Sequence, residues 1–276
     1  MTRPPPLDSV LSRSPVLITG GSGGIGTALA RGFVQRGAAV HLVARREEGL
    51  KEAQDRCGAA AVHSCDVTDP DRVTSLFRHL EEEDALPGVV VNGAGSTHPG
   101  YFQALEDRIF RETMESNYFG AVNVLREAVP HMMERKEGYI LNVSSVAGLV
   151  GVFGMSAYSA AKFAVQGLSE ALRSELKPHG VVVSVLCPPD TRTRMLEEEV
   201  PLRPVETEAL SPSESALSPE VVAQAAMKGL QRGKLVIVPG MQGKLTWWAR
   251  RLTPGGLEWA MDRIIRKARP TSTRGG

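Results

Sequence analysis

The chain has 276 residues, 42% hydrophobic and 23% charged, with a formal net charge of +1. That length suits one α/β domain with additions, and the near-neutral balance gives no reason to expect a nucleic-acid partner. The three cysteines are far apart with no CxxC pair, which argues against a disulfide scaffold and for a reducing compartment.

Residues 1–14 are Pro-rich and polar, with no apolar stretch of signal or membrane-spanning length, and are expected to form a disordered leader. Short Val/Ile/Leu/Ala runs then predict strands at 16–19, 39–44, 60–66, 88–92, 138–144, 181–187 and 234–238. Helical periodicity lies between them, near 25–36, 46–56, 70–83, 105–133, 157–177 and 219–231. Asp69-Pro70 and Ser218-Pro219 are helix starts: a capping side chain, then Pro at the first helical position. The alternation predicts a doubly wound parallel sheet with helices on both faces, over 15–240. The six histidines show no metal-ligand spacing, so no metal site is expected.

The first strand runs into Thr19-Gly20-Gly21-Ser22-Gly23-Gly24-Ile25-Gly26 and then a helical pattern. Glycines let a backbone approach a pyrophosphate, and a helix amino end offers free N–H groups and a positive dipole. The turn therefore predicts a dinucleotide site of the Rossmann type, held by Gly20, Ser22, Gly23, Gly24, Ile25 and Gly26. The second strand ends Val43-Ala44-Arg45-Arg46, with no carboxylate where an NAD site places one for the ribose hydroxyls. Arg45 can pair with the 2′-phosphate of NADPH, and Ser22 can add a hydroxyl. The competing reading has Arg45 and Arg46 simply opening a solvated helix.

Tyr158 and Lys162 stand four apart in Tyr-Ser-Ala-Ala-Lys, so a helix puts both on one face. A fixed ammonium beside a phenol lowers its pKa from about 10 and makes it a proton donor or acceptor near neutral pH. Ser145 ends the strand run 139–145 and points into the crevice at the carboxyl edge of the sheet.

With these motifs the chain resembles the short-chain dehydrogenase/reductase family over about residues 15–240. Thr19, Gly20, Gly24 and Gly26 match its glycine motif, and Asn92-Gly93-Ala94-Gly95 matches its Asn-Asn-Ala-Gly segment with Gly in second position. The resemblance implies a catalytic set of Asn117, Ser145, Tyr158 and Lys162. It also implies that Asp66 and Val67 bracket adenine, that Asn92 and Ala94 line the ribose, and that Gly95, Pro188, Thr191 and Thr193 join the cofactor site. Lys162 would hold the nicotinamide ribose beside Tyr158, and Asn117 would anchor a proton-relaying water. A homo-oligomer, dimer or tetramer, is the expected assembly.

Residues 190–217, rich in Pro, Glu, Ser and Thr, follow the sixth strand and predict a substrate lid over the active-site edge. The stretch Cys187-Pro188-Pro189-Asp190-Thr191-Arg192-Thr193, with Pro204-Val205-Glu206-Thr207 downstream, looks like the 3-ketodihydrosphingosine reductases. That subgroup implies NADPH-dependent reduction of a long-chain lipid ketone, with another ketone (an acyl thioester or a steroid) as the alternative substrate and a non-catalytic NADPH-binding regulator as the competing class. Two departures stand out: Gly49, where relatives carry a second basic residue that Arg46 would replace, and the lack of an amino-terminal membrane segment.

The remainder, 241–276, is expected to be a basic amphipathic extension. It carries all three tryptophans, and from Gly243 onward eight basic residues against two acidic ones. Leu257, Met261, Ile264, Ile265 and Ala268 form one apolar stripe, and Leu245, Trp248 and Leu252 a shorter one. The extension reads either as a peripheral anchor on the cytoplasmic face of a membrane or as helices packed on protein. The expected location is cytoplasmic.

Overall fold

A computed structural model describes residues 5–269. Seven parallel strands form one sheet in the order β3-β2-β1-β4-β5-β6-β7. They are β1 (Val16–Thr19), β2 (Val40–Ala44), β3 (Ala61–Ser64), β4 (Val89–Asn92), β5 (Gly138–Val143), β6 (Val181–Leu186) and β7 (Val236–Ile237). The order reverses between β1 and β4. Open α/β sheets bind ligands at such a switch point, outside the carboxyl ends of the strands.

Both faces of the sheet are covered, which is why its central strands are apolar throughout. One face carries α2 (Gly24–Val34), α3 (Glu47–Cys57) and α10 (Pro219–Gln231), packed through Leu29, Phe33, Leu50 and Leu230. The other carries α4 (Pro70–Glu82), α6 (Gly120–Arg135) and α7 (Ser156–Leu176), packed through Phe77, Leu80, Leu125 and Leu176. The caps act as read: Asp69 accepts from Asp71 N at 3.0 Å and Ser218 from Val221 N at 3.4 Å.

Two readings need correction. The expected disordered leader is ordered over 5–14. Leu7–Leu11 forms α1, and Leu7, Val10 and Leu11 are buried in the first core. Tyr139 Oη also donates to Pro5 O at 2.6 Å. Residues 1–4 of that leader and 270–276 of the expected extension lie outside the described residues.

The helix expected over 105–133 is α5 (Asp107–Met114), a π-helical turn (Glu115–Phe119) and α6. Asn117 Nδ2 donates to Thr113 O at 2.9 Å and Ser96 O at 2.8 Å, so a side chain inserts into the backbone ladder there.

The segment 190–217 folds as α8 (Arg194–Glu199), a 3-10 turn (Val200–Leu202) and α9 (Val205–Leu210), closed at its base by a bridge between Thr191 and Leu217.

The extension forms α11 (Met241–Leu252) and α12 (Pro254–Ala268). Three members of the longer stripe, Leu257, Met261 and Ile264, line the large cavity at the sheet edge while staying partly open to solvent, Ile264 at 39% exposed. Leu245, Trp248 and Leu252 are 62%, 51% and 71% exposed. Among the described residues no helix is long and apolar enough to cross a membrane.

Candidate active site

The carboxyl ends of β1, β2, β4, β5 and β6 open into a cavity of about 1780 Å³. With one exception, every expected site residue lines it.

The glycine turn forms the near wall. Gly20 has φ +66°, and a Cβ there would stand 2.5 Å from Gly93 O, so only glycine fits between β1 and the chain after β4. Thr19 Oγ1 ties the same two segments by accepting from Gly93 N at 3.1 Å and Ala94 N at 3.3 Å. The first turn of α2, from its Gly23 cap, faces the cavity with unspent N–H groups. Across the turn, a Cβ on Gly24 would meet Thr193 Cγ2 at 2.7 Å, which places the start of the lid against the cradle.

Arg45 and Arg46 are exposed at the end of β2 and line the same cavity, beside Ser22 and Gly49. Asp66 Oδ1 accepts from Thr68 N at 3.0 Å and Thr68 Oγ1 at 2.8 Å. Its pKa is lowered: burial opposes ionisation, but the Thr68 bonds and the nearby Arg45 and Arg72 outweigh it. Ile25, Val67, Ala94 and Gly95 complete this half.

Asn92 is the exception. Its Nδ2 donates to Asn142 Oδ1 at 2.9 Å, and Asn142 Nδ2 donates to Ser169 Oγ at 2.9 Å. The Asn92 side chain is 5% exposed and bridges strands inside the sheet, away from the cavity. Its chain neighbours Val91, Gly93 and Ala94 line the cavity instead of the Asn92 side chain.

The chemistry-bearing residues meet at the far half. Ser145 follows β5 and opens a 3-10 turn (Val146–Gly148); its Oγ accepts from Ala147 N at 3.1 Å and donates to Pro188 O at 3.4 Å. Tyr158 and Lys162 share the first turns of α7, with Lys162 Nζ 5.5 Å from the Tyr158 ring centre. Nζ donates to Val143 O at 2.9 Å and the side chain is buried, which pulls its pKa down to about 8. Asn117 is 2% exposed, and its Oδ1 has no hydrogen-bond partner among the described residues.

The expected lowering of the Tyr158 pKa is reversed here. Burial and then the Glu199 carboxylate raise it, while Ser145 and Arg203 pull the other way. Lys162 is anchored on a carbonyl and stands over the ring, so burial, with the lid carboxylates after it, sets the phenol.

Those carboxylates belong to a cluster that inspection of the sequence does not reveal. Arg203, its side chain 2% exposed, meets Asp190 at 2.8 Å, Glu199 at 2.6 Å and Glu208 at 3.3 Å. Ser211 Oγ donates to Asp190 Oδ2 at 2.9 Å and Arg203 Nη1 to Ser211 O at 3.1 Å. The second subgroup motif fastens this cluster to the body. Thr207 Oγ1 donates to Phe153 O at 2.7 Å, and buried Glu206 accepts from Tyr101 Oη at 3.0 Å and meets Arg269 of the tail at 3.5 Å.

Several known proteins share this design. The pattern of the short chain dehydrogenase family matches residues 14–203. A 3-dehydrosphinganine reductase of Danio rerio is 37% identical over 242 residues, 84% of this chain and 73% of that one. A 3-ketodihydrosphingosine reductase of Mus musculus is 37% identical over 249 residues, 87% and 74% of the two chains. A short-chain dehydrogenase from Sphingobium yanoikuyae, solved in complex with NADPH, superposes with a TM-score of 0.73 at 29% identity, covering 94% of this chain and 99% of that one. The glycine cradle, the Ser145–Tyr158–Lys162 constellation and these matches agree: this chain belongs to the short-chain dehydrogenase family.

Proposed function

We propose that this protein reduces the ketone of 3-ketodihydrosphingosine, a long-chain lipid with an amine beside its carbonyl, using NADPH. The observation that carries the reductase reading is the meeting of Ser145, Tyr158, Lys162 and Asn117 in one cavity that also contains the glycine cradle. The names of the relatives support the choice of ketone.

The cradle fits a dinucleotide: Gly20 lets the turn after β1 lie against the chain after β4 with no side chain between, the amino end of α2 lines the cavity, and Arg45, exposed at the end of β2 on the same cavity, supports a 2′-phosphate there. Gly20, Ser22, Gly23, Gly24, Ile25 and Gly26 would hold the pyrophosphate side, with Arg45 and Arg46 on the 2′-phosphate. Asp66, Val67, Ala94 and Gly95 would flank the adenosine, and Pro188, Thr191 and Thr193 would close the nicotinamide end. When bound, NADPH supplies the hydride.

Ser145 Oγ donates to the ketone oxygen and orients it. Tyr158 gives its hydroxyl proton to the alkoxide as charge develops there. A phenol held above its usual pKa stays protonated at neutral pH, which suits an acid in the reductive direction. Lys162 holds the ribose hydroxyls, and the unpartnered Asn117 Oδ1 is suited to anchoring the water that resupplies protons.

Residues 190–217 act as the lid, and Leu202, Leu257, Met261 and Ile264 offer the alkyl chain an apolar wall. The exposed row on α11 is read as a peripheral membrane contact. A homo-oligomer at the cytoplasmic face completes the reading, carried by the family resemblance.

The test is NADPH oxidation with 3-ketodihydrosphingosine, a 3-ketoacyl thioester and a steroid ketone. Higher kcat/KM on the first supports the assignment; a preference for the thioester or steroid reassigns the substrate.

A further inference from the structure

We propose that Glu199, the buried carboxylate of α8, is the receptor for the substrate ammonium next to the ketone, which makes the amine a requirement built into the lid. The inference rests on the reading of this site as a reductase of an amino ketone.

Three observations carry it. First, Glu199 is 7% exposed and lines the cavity that holds Ser145 and Tyr158, and it is the charged group acting most strongly on the Tyr158 hydroxyl. A ketone oxygen seated at Tyr158 places its α-carbon, and any amine on that carbon, within a few bonds of the same spot. Glu199 is therefore in the neighbourhood that the amine must occupy.

Second, the cluster is short of positive charge. Arg203 is one cation against Asp190, Glu199 and Glu208. Its bonds to Glu199 both end on Oε1, from Nε at 2.7 Å and Nη2 at 2.6 Å, so Arg203 does not occupy Oε2, where the neighbouring Thr97 hydroxyl and a ligand cation can act together. Burial raises the Glu199 pKa while Arg203 opposes this. A second cation would stabilise the ionised carboxylate further. A substrate ammonium supplies that charge in a place that excludes competing water.

Third, Thr97 also lines this cavity and lies against Glu199, whose carboxylate its hydroxyl helps to keep ionised, yet its buried Oγ1 makes no well-formed hydrogen bond among the described residues. A buried hydroxyl with no partner costs free energy unless a ligand satisfies it. The ketone substrate carries a hydroxyl on the carbon beyond the amine, so one small polar head group can meet Tyr158, Glu199 and Thr97 together. A 3-ketoacyl thioester or a steroid offers neither group and would leave Glu199 facing an apolar surface.

The experiment compares 3-ketodihydrosphingosine with the ketone of the same chain length that has hydrogen in place of the amine, and with the N-acetylated ketone, on the wild-type protein and on Glu199→Gln. Wild type should favour the free amine over both analogues. Glu199→Gln should reduce that preference by about 30-fold, equivalent to about 2 kcal/mol at 1.4 kcal/mol per tenfold, with the change in KM more than in kcat. Loss of lid structure alone would lower all three rates together and leave the ratio unchanged, which would reject the proposal. The wild-type comparison needs no variant: equal efficiency on the amine and its deaminated analogue overturns the receptor while the reductase reading stands. Turnover on none of the three, with turnover on a steroid or thioester, overturns both.

Discussion

Arg203 and Glu199 are joined at 2.6 Å within the wall of the catalytic cavity, four residues apart, with side chains 2% and 7% exposed. The pair turns a Pro- and Glu-rich stretch into a fixed surface. Arg203→Met keeps the bulk but leaves Glu199 buried without its cation. Removing one partner of a buried pair costs about 3–5 kcal/mol; the lower end is expected here, because Asp190 and Glu208 are 22% and 38% exposed and water can reach them. The loss should be smaller at pH 5 than at pH 8, since Glu199, with its raised pKa, can take up a proton instead. Urea denaturation at both pH values measures it, and an unchanged midpoint would show that the cluster contributes little.

Tyr158→Phe retains the ring and its packing and removes the proton. Turnover should fall by about 10²–10⁴-fold, the usual worth of general acid catalysis, with NADPH affinity nearly unchanged. A variant that keeps more than about a tenth of the wild-type rate would remove Tyr158 from the acid role.

Arg45→Asp should shift preference from NADPH towards NADH. The new carboxylate repels the 2′-phosphate and can accept ribose hydroxyls. A hydrogen bond to a charged group is worth about 1.5–3 kcal/mol, so the ratio of the two efficiencies should fall by at least about tenfold. If the ratio does not move, Arg45 and Arg46 are simply the solvated start of α3.

Much of this site was legible because its signals are local. The Tyr158–Lys162 spacing, the glycine turn and the arginines ending β2 each lie within one stretch of chain. What sequence reading missed depends on distant partners. Asn92 turns inward because Asn142, fifty residues on, accepts its amide. Part of the α12 stripe lines the cavity because α9 lies against that helix, and periodicity says only that a stripe is apolar, not what it meets. Burial of α1 had a signal in the spacing of Leu7, Val10 and Leu11, which the surrounding prolines obscured.

His41 and His63 sit side by side on β2 and β3, Nδ1 to Nε2 at 3.1 Å, with His79 edge-on to His63. Burial, then the neighbouring imidazoles, lowers His63 to about 4. The unfolded chain takes up this proton near pH 6.5, so between those values it binds more protons than the native state. The stability is therefore present above about pH 6.5 and is lost as pH falls towards 4. At pH 5 the loss should be about 1–2 kcal/mol, allowing for the partial exposure of the ring. Thermal unfolding at pH 7 and pH 5 reads it, and His63→Asn should flatten the dependence.

The exposed row on α11 gives the clearest test of membrane contact. Met241, Leu245, Trp248 and Leu252 are 70%, 62%, 51% and 71% exposed, with Trp259 of α12 at 59%. Lys244, Arg250 and Arg251 lie on the same helix. Trp247 is different, since it packs against Val185, Cys187 and Val238 and holds α11 to the sheet edge. An apolar row flanked by cations partitions at the headgroup boundary, with about 1 kcal/mol from each basic residue near an anionic surface. Truncating the tail would be a poor test, because α12 also lines the cavity. Leu245→Glu with Trp248→Glu changes only exposed positions, so thermal stability should hold. In flotation with vesicles of anionic lipid the wild-type protein should rise with the lipid at low salt and less so at high salt, and the double variant should stay in the aqueous fraction. Activity on ketone presented in vesicles should fall with it, while activity on a short soluble ketone should not. Wild-type protein that stays aqueous at low salt would reject the membrane contact.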